Sequence, residues 1–98
     1  MSDENENENG SGPRKLSSVL ASAQAEFEQL VGRKVETVSS ASKHEDGWRV
    51  SFEVVELTRI PDSTSLLGSY DVVVDGDGNV VGYDRVRRYH RNRADEEA

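Results

Sequence analysis

The first apolar pattern in the chain runs through KLSSVLASAQAEFEQLVG. Leu16, Val19, Leu20, Ala23, Phe27, Leu30 and Val31 recur at the spacing of one helical face, while Gln24, Glu26 and Glu28 can face solvent. This spacing predicts a helix from about residue 16 to about residue 31, with Phe27 and Leu30 as its main anchors. Ser17 or Ser18 is the expected N-cap. Gly32 ends the pattern, and Arg33 and Lys34 follow, as suits the carbonyl end of a helix.

Beyond Gly32 the period falls to two. Val35 to His44 is weakly patterned and rich in serine, which suits a first or edge strand. Glu45, Asp46 and Gly47 form a turn signal. In WRVSFEVVELTRI, Trp48, Val50, Phe52 and Val54 alternate on one face. Val55 and Leu57 take the opposite parity, so this strand has either a bulge near Val54 or apolar contacts on both sides. Pro61 ends it. Leu66 and Leu67 lie in the following connection and are too apolar to be solvated. A third strand, SYDVVVD, places Tyr70, Val72 and Val74 on one face. The DGDGN segment, 75–79, reads as a tight reversal. The last strand is NVVGYDRVRRYHR, residues 79–91, and its parity breaks between Tyr83 and Val86, which predicts a bulge near Gly82–Asp84.

These elements predict an α+β fold, with one N-terminal helix packed on a roughly four-stranded antiparallel sheet. The expected core is Phe27, Leu30, Trp48, Val50, Phe52, Val72 and Val74. A single helix covers one face of such a sheet, so the other face is left available. A free edge strand permits a homodimer, and a charged one resists it.

Composition narrows the functional classes. The chain has 98 residues, 34% hydrophobic and 32% charged, which fits one small domain with a thin core. It contains no cysteine, which excludes disulfides, thiolate metal sites and cysteine nucleophiles. No apolar run approaches the roughly 20 residues of a membrane span, and the polar acidic start is unlike a signal peptide. The absence of cysteine suits a cytoplasmic protein.

The net charge of -7 comes from the ends. Asp3, Glu4, Glu6 and Glu8 lie in an expected disordered tail, residues 1–13, and Asp95, Glu96 and Glu97 in a second, residues 94–98. In the single domain between them, residues 14–93, 12 basic residues balance the remaining acidic ones.

Chemistry-bearing constellations are sparse. Asp75, Asp77 and Asn79 are hard oxygen ligands at alternate positions, but Val80 and Val86 stand where a calcium loop needs its glycine and its glutamate. His44 and His90 form no ligand-spaced pair, and Ser39, Ser40 and Ser42 lack nucleophile-elbow glycines. Glu53 and Glu56, three apart in a strand, should face opposite ways. No cofactor, metal site or catalytic residue is expected.

The sharpest local feature is RVRRYHRNR, residues 85–93. With regular alternation, Arg85, Arg87 and Tyr89 share one face, and Val86, Arg88 and His90 the other. Arginine forks bind carboxylates and phosphates, and Tyr89 can stack. Three readings stay open: a protein-partner surface, internal pairing with Glu53, Glu56, Asp71 and Asp84, and RNA binding.

The helix ending in LVG, then GWRVSFEVVELTRIP, then LLGSYDVVVDGDGNVVGYDRVRRYHR, together resemble the gas vesicle synthesis protein GvpO family over about residues 24–93. Glu56, Arg59 and Pro61 match the ELTRIP segment. Tyr83, Arg85, Arg87, Arg88 and Tyr89 match the terminal basic segment. The resemblance implies a non-enzymatic, cytoplasmic accessory protein that supports gas vesicle assembly, with other accessory or structural gas vesicle proteins as partners. It implies no established catalytic residue. The expected docking residues are Glu56, Arg59, Arg85, Arg87, Arg88, Tyr89 and Arg91. An RNA-binding regulator of gas vesicle gene expression, using the arginine-rich last strand, is the alternative.

Overall fold

The computed structural model describes residues 15–92. The two acidic tails expected at 1–13 and 94–98, and the domain limits at 14 and 93, lie outside the described residues. The elements are α1 (Leu16–Val31), β1 (Val35–His44), β2 (Gly47–Leu57), a 3-10 turn (Asp62–Thr64), β3 (Leu66–Val74) and β4 (Val80–His90). The strands form one antiparallel meander in the order β1-β2-β3-β4, so among the described residues β1 and β4 are its edges.

Helix α1 packs on one face of this sheet, giving the expected α+β arrangement. Val19, Ala23 and Phe27 are its buried stripe, four residues apart and therefore stacked along one side. They join Val50, Phe52, Val54, Tyr70, Val72 and Val74 in the core. The Phe27 ring centroid lies 5.2 Å from those of both Phe52 and Tyr70, and 5.4 Å from that of Tyr83. Gly32 closes the helix at φ 72°, and its N–H donates to the Glu28 carbonyl. Only glycine takes that left-handed geometry without steric cost. At the sheet end, the Glu28 carboxylate accepts the Val35 N–H at 2.8 Å, and that bond holds its pKa below the ordinary value. Glu26 likewise accepts the Val80 N–H, fastening the helix to β4.

Four expectations need correction. Neither Ser17 nor Ser18 caps α1: Lys15 stands at the N-cap and gives no side-chain capping bond. Leu30 is half exposed, because Val31 rather than Leu30 packs against the core in the last turn. Leu66 and Leu67 open β3 instead of lying in a connection. The bulges of β4 fall at Val81 and Val86, not at Gly82–Asp84, since Gly82 and Val80 pair with Val73 and Val74, and Arg87 and Arg85 with Ser69 and Tyr70. In β2, the register shift leaves Glu56 between Val55, paired with Leu67, and Leu57, paired with Leu66. Apolar contact on both sides is present as well. Val54 is in the core, and Val55 lies in a cross-strand row with the buried Leu67 and with Tyr89 on the opposite face, which is uncovered among the described residues.

Candidate functional site

The bulge at Val86 decides how the arginine strand is presented. An extra residue in one strand flips the parity of everything after it. Arg85 and Arg88 therefore face the helix side, and Arg87 and Tyr89 the uncovered side. The pairing of Arg85 with Arg87 and Tyr89 expected from regular alternation does not hold.

On the helix side, Arg85 and Arg88 converge on Glu56. Arg88 Nε lies 2.9 Å from Glu56 Oε1, and Arg85 Nε 3.5 Å from Oε2. The Tyr70 hydroxyl donates to Oε2 at 2.6 Å. The Glu56 side chain is only 6% exposed. Burial alone would raise its pKa, but the bonds from Tyr70 and Arg88 and the two guanidinium charges outweigh this and lower it. Gly68 makes the room. A Cβ there would collide with the Glu56 carboxylate.

On the uncovered side, Glu53 is the hub. Its Oε2 accepts the Ser39 hydroxyl at 2.6 Å, and its Oε1 accepts the hydroxyls of Tyr89, at 2.7 Å, and Ser69. Burial acts against the charged carboxylate, but these three bonds and the Arg87 charge lower its pKa overall. Tyr89 is pushed up to about 12 by burial and by the Glu53 bond, so its hydroxyl stays a donor at neutral pH. The Arg87 guanidinium lies 4.3 Å over the Tyr89 ring. Ser40 donates to Ser51, and Ser51 to Asp71, at 2.9 Å each. Ser39, Ser51, Glu53, Ser69, Asp71, Val86, Arg87 and Tyr89 line an open hollow of about 430 Å³. Glu53 and Glu56 thus face opposite ways, as their spacing requires.

Arg91 belongs to neither cluster. It clamps Glu36 of β1 and lies beside Asp62, tying the end of β4 to the opposite edge strand. Arg59 is exposed on the stretch before the cis Ile60–Pro61 bond. Its N–H bonds Ser65 Oγ, and it borders a separate hollow with Ile60, Pro61, Thr64, His90 and Asn92. The seven expected docking residues are therefore split among four places. Sequence reasoning missed Glu36, Asp62 and Tyr70 as their partners. A bond across 55 positions leaves no local signal.

Among the described residues, no three histidine, aspartate or glutamate side chains group as metal ligands. Asp75 is occupied by its own turn. Its Oδ1 accepts the backbone N–H groups of Asn79 and Asp77 at 2.9 Å, and these bonds, Asn79 first, lower its pKa. Among the described residues, no helix is long and apolar enough to cross a membrane.

The whole pattern has counterparts. A family model described as gas vesicle synthesis protein GvpO matches residues 2–95. The chain belongs to that family. It is 51% identical over 77 residues to gas vesicle protein O of a Streptomyces strain, covering 79% of this chain and 60% of the relative. It is 34% identical over 82 residues to gas vesicle protein O1 of Halobacterium salinarum, covering 84% and 69%. Gas vesicle protein O of Haloferax mediterranei is 36% identical over 72 residues, covering 74% of this chain and 46% of the relative. The chain thus spans about half to two thirds of these GvpO relatives. No solved structure matches it significantly.

Proposed function

We propose that this GvpO-family chain is a non-enzymatic accessory factor in gas vesicle assembly. It docks another gas vesicle protein through the uncovered face of its sheet. One observation carries the reading: the Val86 bulge sets Arg87 and Tyr89 side by side on the face that no helix among the described residues covers, beside the Glu53 hollow. Arginine and tyrosine are among the side chains enriched at interface hot spots. The hydrogen bond to Glu53 holds Tyr89 in one orientation before any partner arrives, which lowers the ordering cost of binding. The same face carries the carboxylates of Glu53 and Asp71 and, by register, Asp84. They repel a phosphate backbone, so a protein partner is favoured over RNA.

The test is capture of each gas vesicle protein by the chain, compared with Arg87→Ala and with the Arg87→Ala/Tyr89→Ala double variant, alongside circular dichroism. Loss of capture with the fold retained is expected, at about 2 kcal/mol or more for a buried anchor. Undiminished capture of every partner by both folded variants rejects this surface.

A further inference from the structure

We propose a second binding site, on the helix side of β4, that takes a glutamate or aspartate side chain from an acidic protein segment. Three arginines border one hollow of about 300 Å³: Arg33, two residues past the end of α1, and Arg85 and Arg88 of β4. Glu56 is the one carboxylate in its lining, with Leu57, Leu66 and Tyr70 completing the wall. The hollow therefore carries an excess of two positive charges. Glu56 cannot remove it, because its two oxygens are already engaged by Arg88, Arg85 and the Tyr70 hydroxyl.

The other carboxylates of the region are committed elsewhere. Glu28 serves the Val35 N–H, Glu36 serves Arg91, and Glu53 lies on the opposite face. Arg33 makes no ion pair among the described residues. Arg85 and Arg88 keep 42% and 48% of their side-chain surface exposed, and each guanidinium has five N–H donors, more than Glu56 can accept. Glu56 thus acts as a positioning residue. It holds two forks in place at the mouth without neutralising them.

Charges on an edge strand also serve to block edge pairing. That role needs neither a buried carboxylate at the centre nor a third arginine from the helix end. The exposed Leu57 in the wall points to the partner's chemistry: an acidic side chain flanked by apolar ones, not a bare phosphate. This site is independent of the docking face proposed above, because Arg87 and Tyr89 lie on the other side of the sheet.

The experiment titrates the full chain at low salt with an end-blocked peptide of alternating glutamate and leucine, its glutamine–leucine counterpart, inorganic phosphate and single-stranded poly-uridine. The glutamate peptide is expected to bind and to weaken as salt rises, and the glutamine peptide not to bind. Arg33→Gln is the decisive variant, since no bond among the described residues depends on that side chain. It should weaken the peptide about tenfold or more, the usual worth of one charge-assisted bond, while Arg87→Gln leaves it unchanged. No binding of the glutamate peptide, equal loss in Arg87→Gln, or Arg33-dependent binding of poly-uridine or phosphate in place of the peptide overturns the proposal.

Discussion

Arg91 holds Glu36 through two parallel bonds, Nη1 to Oε2 at 2.6 Å and Nη2 to Oε1 at 2.7 Å, although the residues stand 55 positions apart. The Arg91 Nε lies 2.9 Å from Asp62 Oδ2, within ion-pair range but off the line of a hydrogen bond. One side chain thereby links both edge strands and the turn before β3. The bond to Arg91 lowers the Glu36 pKa, and Glu36 in turn raises that of Arg91.

Arg91 is therefore expected to stabilise the fold rather than to dock a partner. Arg91→Gln should cost about 1 kcal/mol, and Arg91→Lys should recover little, because lysine lacks the fork. Urea melts of the two variants check this. A lysine variant as stable as wild type would reduce the clamp to a plain charge effect.

Phe52 is fully buried against Phe27. Phe52→Ala should destabilise the domain by about 3–5 kcal/mol, enough to threaten folding in so small a core. The midpoint of a denaturant curve measures it. A loss under about 1 kcal/mol would mean that the helix does not pack there.

Gly68 and Glu56 should be coupled. In Gly68→Ala the new Cβ pushes the Glu56 carboxylate away from Tyr70 and Arg88, at a cost of about 1–2 kcal/mol in lost bonds. In a Glu56→Ala background the same change should cost almost nothing. A double-mutant cycle reads the coupling directly, and additive costs would refute it.

Stability should fall at both ends of the pH scale. Glu36, Glu53 and Glu56 have pKa values lowered by folding, so their contribution is complete above the unfolded value of about 4.3 and is lost as pH drops through the folded values. Tyr89 is shifted the other way. Its contribution is complete below about 10 and is lost as pH rises through about 12. Denaturation midpoints against pH should show a plateau between. Glu56→Gln should shrink the acid arm, and Tyr89→Phe the alkaline one.

Much of the architecture was legible in the chain. The spacing of Val19, Ala23 and Phe27 marked the helix, and the alternation of Val50, Phe52 and Val54 marked the central strand. These are signals of local period, and burial of one face rewards them directly. Gly32 and the reversal at 75–79 marked where the chain turns, because backbone geometry there depends on the residue in place. The family was legible too, since it rests on residue order alone.

The site was legible only in composition. The chain itself determined that arginines and a tyrosine crowd the last strand. Only the tertiary structure decided that Arg85 and Arg88 turn toward Glu56 while Arg87 and Tyr89 turn away. The cause is the unpaired Val86. A bulge sits wherever the register with the neighbouring strand requires an extra residue, and that register is set by β3 and the turn joining it to β4. Val86 looks like any other strand residue, so nothing in its own neighbourhood could reveal it. Arg91 and Glu36 follow the same logic: three strand pairings bring their two edges within reach of one side chain, and no shorter stretch of chain contains that information.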